Sequence, residues 1–263
     1  MGGSCTRRSS VTGQRPEDAI ERAKTSKILS IEGKLRNGLL PQSANGLASL
    51  RSVSLRGTDL RDFPEFLTKS SGSLRILRLS NNRIASIPPS LSSFTQLKTL
   101  DLSGNQLSLQ TLDAFPSSLE QLNLSSNLLS GRLSGGSQLV NLVLLDLSRN
   151  PRLGDIKALA YSSFRSLEEL ILDETNATSV PEEVAQCPRL TTLSLQSNDI
   201  KMIPVAVLRD CHYLHTLHLE GNPSLTQKAL MDMEGSDAYL QRRAARLDKQ
   251  IAGGTFRPDL ALI

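Results

Sequence analysis

The chain of 263 residues contains no tryptophan and few other aromatic residues, with three tyrosines and six phenylalanines. Proteins that bind single-stranded nucleic acids stack the bases on aromatic rings, so this composition argues against a nucleic-acid partner. Tight protein interfaces depend on tryptophan, tyrosine and arginine anchors, so we expect a transient protein partner rather than an obligate one. The chain also has no run of 18 apolar residues, and the sequence therefore predicts no membrane-spanning helix.

Cysteine is scarce, and the three cysteines are Cys5, Cys187 and Cys211. Extracellular repeat proteins usually close their ends with clustered disulfides, and no such cluster is present. Cys187 and Cys211 fall at an apolar position of neighbouring repeats, where we expect free thiols that pack as small hydrophobic side chains. The first 18 residues carry charges and no apolar stretch, which does not fit a secretory signal peptide. We therefore expect a cytoplasmic location.

What the chain has in abundance is one repeated phrase, Leu-x-x-Leu-x-Leu-x-x-Asn. Complete or degenerate copies follow one another at intervals of 22 to 25 residues, an interval too regular for chance. The pattern predicts a leucine-rich-repeat solenoid, an α/β right-handed horseshoe with a parallel sheet on its concave side and short helices on its convex side. Its copies begin at Leu50, Leu74, Leu97, Leu119, Leu142, Leu167, Leu190 and Leu214.

Each position of the repeat has a predicted role. The first, fourth and sixth residues should point into the core, and the third, fifth and seventh should point outward. The ninth residue, Asn in six repeats and Thr58 or Thr175 in the others, should bond unpaired backbone groups between turns. An apolar residue followed by proline shapes the convex side in four repeats. Repeats three to five lack it, and the fourth contains Gly131, Gly135 and Gly136, so we expect the least regular convex structure there.

The repeats divide the chain into four segments. Residues 1–15 are small and polar and are predicted to form a disordered tail. Residues 16–49 begin with Pro16, a helix-start signal, and should form an N-terminal helix and cap. The repeats occupy 50–225, and 226–263 should form a C-terminal helical cap and tail, because an uncapped end turn exposes its leucines. The helical period in that cap is carried by Leu240, Ala244, Leu247 and Ile251.

Outward positions of the predicted strands change charge along the sheet, from basic in the early repeats to acidic in the later ones. A face with two signs of charge can orient a folded protein partner and accelerate encounter. The alternative is a face that is merely solvated, since exposed sheet residues are polar in any case. We assign partner binding to Arg56, Arg78, Lys98, Asp101, Asn123, Asp146, Glu169, Asp173, His218 and Glu220.

Enzymatic and metal-binding patterns are scarce. The sequence has no nucleophile elbow, P-loop or dinucleotide glycine pattern, so we expect no catalysis and no cofactor. His212, His215 and His218 have a metal-like spacing, but no nearby cysteine or carboxylate completes a tetrahedral set, so we expect no metal site. We expect a monomer.

The N-terminal sequence MGGSCT fits the pattern M-G-x-x-x-[ST], in which Gly2 becomes N-myristoylated after removal of Met1. One myristoyl chain binds membranes only marginally, so a second signal is needed. Palmitoylation of Cys5 would supply it, and Arg7 and Arg8 would each add about 1 kcal/mol on an anionic leaflet. An unacylated tail is the alternative.

The MG start, the Ile-Pro repeats, the segments CPRL and LRDC, and the block MEGSDAYLQRRAARLDKQI together resemble the small intracellular Ras-group leucine-rich-repeat proteins. The resemblance covers nearly the whole chain, and the last block is its most specific part, because the repeat consensus does not dictate it. It implies a non-catalytic, membrane-tethered scaffold or adaptor whose partner is a small GTPase or its effector. The alternative is an untethered cytosolic regulatory subunit of a phosphatase or ubiquitin ligase.

Overall fold

The computed structural model describes residues 15–253 of the chain. Its strands are β1 (Ile28–Glu32), β2 (Ser52–Arg56), β3 (Ile76–Arg78), β4 (Thr99–Asp101), β5 (Gln121–Asn123), β6 (Ser130–Arg132), β7 (Leu144–Asp146), β8 (Arg152–Asp155), β9 (Glu169–Ile171), β10 (Thr192–Ser194) and β11 (Thr216–His218). Nine of them form one sheet in the order β1-β2-β3-β4-β5-β7-β9-β10-β11, and every recorded pair is parallel. The predicted leucine-rich-repeat solenoid is therefore confirmed, and β1 adds a strand ahead of the first predicted repeat.

The helices and 3-10 helices lie between these strands and at the two ends. They are α1 (Pro16–Ser26), α2 (Val205–Asp210), α3 (Gln227–Met231) and α4 (Ser236–Ala252), with 3-10 helices at Arg36–Gly38, Gln42–Gly46, Glu65–Ser70, Pro89–Ser93, Tyr161–Ser163 and Glu182–Gln186.

The core is a narrow ribbon of leucines that passes through every turn. Leu97, Leu100 and Leu102 occupy the first, fourth and sixth positions of the third repeat and are at most 1% exposed, as predicted. The seventh position differs from the prediction, because Ser80 is buried and the equivalent Ser103 is half-buried. The strand has ended by that position, so the strict alternation of inward and outward side chains no longer applies.

The ninth-position asparagines form the predicted ladder between turns. Asn105 Nδ2 donates to the carbonyl oxygens of Leu79 and Leu102 at 3.0 and 2.9 Å, and its Oδ1 accepts from the Ile84 amide at 3.0 Å. Each asparagine thus supplies partners for backbone groups of two turns where the chain leaves the sheet. The same arrangement recurs at Asn82, Asn127, Asn150, Asn198 and Asn222.

Thr175 interrupts that ladder. Its hydroxyl lies 2.9 Å from the Leu172 carbonyl of its own turn and 3.1 Å from Asn198 Oδ1 of the following turn. Among the described residues, no side-chain amide joins this turn back to Leu147 in the preceding one. The sixth turn is joined back to the fifth by the next residue instead, since Asn176 Nδ2 donates to the Pro151 carbonyl at 2.9 Å.

Two kinds of turn make up the convex side. In the proline turns, Pro64, Pro88, Pro181 and Pro204 each stand immediately before a short helix. Proline fixes its own φ and has no amide to leave unpaired at a helix start. The sequence prediction that these prolines shape the convex side is confirmed.

The two turns that contain Gly131, Gly135, Gly136 and Gly154 are called the glycine turns. They contain strand pairing, which the prediction of an irregular convex region did not include. There, β6 and β8 pair in parallel as a second sheet, and isolated bridges join Thr111 to Ser134 and Gly135 to Leu159. Gly135 has φ +79, and a Cβ on it would lie 2.4 Å from Asp113 Oδ1, so only glycine fits. The glycines let adjacent turns approach closely and pair. The 3-10 helix Tyr161–Ser163 follows β8 within the second of these turns.

The two ends of the solenoid are covered differently. At the N-terminus, the predicted helix is present as α1 and buries Ala19, Ile20 and Ala23 against the first turn. At the C-terminus a helix is present as predicted, and it buries Ser236 and Tyr239. Of the predicted inward residues, Leu240 is partly buried against the core, whereas Ala244 is exposed and Ile251 is 60% exposed. The cap therefore lies across the last turn through its first half only.

Candidate protein-binding surface

The concave face consists of the side chains that the nine strands direct away from the core. Strand pairing places the fifth-position residues of eight repeats side by side. Five of the ten predicted partner-binding residues therefore fall in one row across the sheet. Neighbouring residues of the row are about 4.8 Å apart, the distance between adjacent strands. That row reads Ser54, Arg78, Asp101, Asn123, Asp146, Ile171, Ser194 and His218.

The basic end of this face is less uniform than the sequence indicated. Arg56 is exposed, but its register partner on β1 is Glu32, which the predicted strip did not include. Lys98 Nζ lies 2.7 Å from Glu120 Oε1 of the next turn, so this predicted cation is already paired. Arg78 is exposed in the middle of the sheet. Charge alternates locally within the broader gradient.

The central predicted residues have an internal structural role. Asp101 Oδ1 accepts from the backbone amide and the hydroxyl of Ser103, at 3.0 and 2.6 Å. Asn123 with Ser125, and Asp146 with Ser148, make the same pair of bonds. A short acceptor two residues before a serine can close such a local turn. All three side chains are half-buried, and their participation in partner binding stays a prediction.

At the acidic end of this face, some carboxylates are hydrogen-bonded within the protein and others are exposed to solvent. Asp173 Oδ1 accepts from the Ser194 hydroxyl and the Gln196 amide, each at 2.7 Å, and so joins its turn to the next. Glu220 is exposed and accepts from the Gln196 side chain at 2.9 Å. Glu169 is exposed on β9. Partner binding by these residues likewise stays a prediction.

A second row runs along the entrance to the strands, at the second position of each repeat. The amides of Arg51, Arg75 and Lys98 each donate to the carbonyl of the residue one turn earlier, at 2.8 to 2.9 Å, beginning from Lys27. We call Lys27, Arg51, Arg75 and Lys98 the basic row. At about 4.8 Å per strand it spans about 14 Å. The same ladder continues through Glu120, Val143, Glu168, Thr191 and His215.

The later end of the concave face contains a cleft of about 520 Å³ between the sheet and α4. Glu168 and Glu169 line its sheet side, and Arg243 and Arg246 line its helix side. His215 also lines it, and burial, together with the nearby Arg246, lowers the pKa of this imidazole from its ordinary value of 6.5. Sequence reasoning did not find the cleft, because it depends on where the cap helix crosses the last turn.

Other predicted chemical groups are dispersed or buried. The described residues contain no group of three or more His, Cys, Asp or Glu side chains able to hold a metal ion. Cys187 and Cys211 are buried free thiols, as expected from their repeat position. Burial raises the pKa of Cys187 to about 12 and that of Cys211 to about 11, so neither is a nucleophile at neutral pH.

The predicted lipidation residues Gly2 and Cys5 lie outside the described residues. Across residues 15–253, no helix is both long and apolar enough to cross a bilayer.

The fold and its open polar sheet define a leucine-rich-repeat solenoid protein. Two family models agree with this assignment, Leucine Rich repeats (2 copies) over residues 72–116 and Leucine rich repeat over residues 165–226. The chain is therefore a leucine-rich-repeat protein, a class whose members generally mediate protein–protein interactions and are typically non-enzymatic.

Similar proteins share these repeats over part of their length. Podocan-like protein 1 of Homo sapiens is 33% identical over 190 residues, covering 70% of this chain and 32% of that protein. Podocan of Mus musculus is 32% identical over 189 residues, covering 69% and 30%. The chain spans about a third of the length of the curated relatives it matches.

Solved structures show the same fold. A leucine-rich-repeat protein of Leptospira interrogans superimposes with a TM-score of 0.67 at 28% identity, covering 77% of this chain and 51% of that one. The plant peptide hormone receptor RGFR1, in complex with RGF2, gives a TM-score of 0.56 at 28% identity, covering 74% and 31%.

Proposed function

We propose that this protein is a non-enzymatic scaffold or adaptor that binds a folded protein partner on its concave face. The observation that carries the proposal is the distribution of charge over the two rows. Among the described residues, no ion pair is recorded for Arg51, Arg75 or Arg78, which cluster over β2 and β3. The first acidic side chain of the two rows is Asp101, in the same turn as Lys98.

This arrangement favours an oriented partner over a merely solvated face. Exposed cations that lie close together repel one another, and a partner that presents acidic groups relieves that repulsion, although Arg78 also has Asp101 beside it in its row. The acidic residues further along the sheet disfavour the reversed orientation. Because the charges are exposed, they should govern the association rate and its salt dependence more than the final affinity. The plant peptide hormone receptor supports the proposal, since a protein with the same fold was solved in complex with RGF2.

Charge reversal tests the concave face. Proximity labelling from the intact N-terminus identifies a partner, and its binding is then measured with the combined variant Arg51→Glu, Arg75→Glu and Arg78→Glu. We expect at least a tenfold slower association at about 50 mM salt and a smaller effect at about 500 mM. The matched control reverses Arg61, Arg165 and Arg189, which are exposed but lie outside the strands. Equal slowing in both variants would reject the concave face.

The proposal includes a membrane tether and a cellular location. We place the protein at the cytosolic face of a membrane, held by a myristoyl group on Gly2 and a palmitoyl group on Cys5. We also place it among the small intracellular Ras-group repeat proteins, with leucine-rich-repeat-containing protein 57 and its plant relatives among its kin. A small GTPase or its effector is the proposed partner. What supports these statements is the MGGSCT pattern and the C-terminal block of the sequence.

Metabolic labelling tests the tether separately from the concave face. A myristate analogue should label the wild-type protein and not Gly2→Ala, and Cys5→Ser should retain that label but lose most membrane association, because one acyl chain anchors weakly. Membrane fractionation gives the second reading. If wild type and Gly2→Ala are equally soluble, the tether is rejected and the untethered regulatory subunit becomes the better description.

A further inference from the structure

A groove of about 400 Å³ lies on the convex side, where glycine turns meet proline turns. One wall contains Leu153 and Gly154 of β8 with Ile156 just beyond it, and the other contains Ala177, Val180 and Met202 of the next two turns. Among the described residues, none from β6 lines the groove. Since β6 and β8 form a two-stranded sheet, the groove lies along the other edge of β8.

The local backbone explains why no strand of this chain continues the second sheet there. In the sixth turn, Glu174 and Asn176 both adopt left-handed φ values of 55°. Pro181 follows, has no amide to donate, and precedes the 3-10 helix Glu182–Gln186. The turn that follows the one containing β8 is therefore a proline turn. As a result, the four-residue edge of β8 has no strand partner within the described sheet.

The walls of the groove combine apolar surface with one orphan acceptor. Met202 is 61% exposed at the rim of the groove and adds apolar surface there. Glu183 Oε1 lies 3.4 Å from Lys157 Nζ, but Glu183 Oε2 is buried and has no hydrogen-bond partner among the described residues. A buried carboxylate oxygen without a donor is destabilising, and a cationic group from a ligand would satisfy it.

We propose that this groove binds an extended peptide segment of a partner protein as a third strand on β8, with a lysine or arginine of that segment directed to Glu183. Strand addition supplies main-chain hydrogen bonds to an open edge, and alternate side chains of the peptide meet the apolar wall. The edge of β8 is about 13 Å long, so four or five peptide residues pair with it. This site is separate from the concave face, and the two can be occupied together.

The test uses the full chain, labelled with ¹⁵N, and a heptapeptide that alternates valine and threonine around a central lysine. Two companion peptides carry a central glutamate or methylated backbone nitrogens at alternate residues. We expect amide shifts confined to residues 153–157 and 177–183. Backbone methylation should abolish binding, because it removes the donors that strand addition needs.

Matched variants locate the cation. Glu183→Gln should weaken the lysine peptide about tenfold, to the affinity of the glutamate peptide or below. The control Glu174→Gln removes a different inter-turn ion pair, the one with Arg149 at 3.0 Å, and should bind as wild type does. Shifts on β9–β11 alone, equal affinity of the methylated peptide, or no binding at millimolar peptide would overturn the proposal. So would concentration-dependent dimers in sedimentation that the peptide dissociates, because a second copy of the chain would then be the natural occupant of the groove.

Discussion

The concave and convex sides of the same turns are built by different rules. On the concave side, β5, β7 and β9 pair in register although the turn between β5 and β7 contains three glycines and the turn between β7 and β9 contains one. On the convex side, the same two turns add a second sheet, β6 with β8. The strand half of every turn contains the same leucine positions, whereas the return half varies freely. A solenoid can therefore keep one face constant and use the other to create local sites.

The largest expected effect tests what makes the concave side uniform. Asn105→Ala removes the acceptor of the Ile84 amide and the donors to two carbonyls, all buried, so the free energy of unfolding should fall by about 3 kcal/mol. Urea denaturation followed by circular dichroism measures it. Asn105→Thr, which copies the residue found at Thr58 and Thr175, should lose about half as much. No loss in Asn105→Thr would mean that the ladder adds nothing beyond one local hydrogen bond.

The next effect tests the glycine requirement of the convex sheet. Gly135→Ala imposes a left-handed φ on alanine and forces its Cβ toward Asp113 and Thr111, so we expect a loss of about 2 kcal/mol. Gly131→Ala is the control, since its φ is +70 but no atom lies within 4 Å of the added Cβ, and it should cost about 1 kcal/mol. A smaller loss at Gly135 than at Gly131 would contradict the close approach of the turns.

A smaller loss of stability is expected at the C-terminal cap, where α4 contacts both the concave sheet and the convex helix α2. Arg242 donates from Nε to the Leu214 carbonyl at 3.0 Å, and from Nη2 to the Leu208 carbonyl near the end of α2. Arg242→Gln should lower the free energy of unfolding by about 1 kcal/mol, because it leaves these carbonyls without a charged donor. Hydrogen exchange should show faster opening of α4, while Arg246→Gln should leave that rate unchanged.

The smallest effect is a pH dependence at the concave cleft. The folded protein disfavours protonated His215, so its stabilising contribution is complete above pH 6.5 and is lost as pH falls toward the lowered pKa. Wild type should therefore lose stability relative to His215→Gln between about pH 6.5 and 5, by under about 1 kcal/mol because the half-exposed ring is screened. The measurement is the difference in melting temperature at paired pH values. A widening advantage of wild type on acidification would contradict the assignment.

Much of the fold was predictable because it depends on residues near one another in sequence. The leucine positions, the asparagine ladder and the prolines before the short helices all follow from local spacing. The convex sheet was not predicted, since the pairing of Gly131 with Leu153 depends on how closely neighbouring turns meet, and its register shifts at the next residue. The site was predictable as a face and not as a set of contacts. Nothing in the spacing of Asp101 and Ser103 alone distinguishes a binding carboxylate from one that closes a turn.

The repeat period by itself determined that this chain stacks its turns, because apolar rows at that interval can be covered only by the next turn. It also determined which residues lie on the open side of the sheet. Tertiary structure alone decided which charges remain available, where α4 closes the cleft, and where β8 presents an unpaired edge. Those features depend on distances between turns, and such distances are set by packing rather than by the composition of any single repeat.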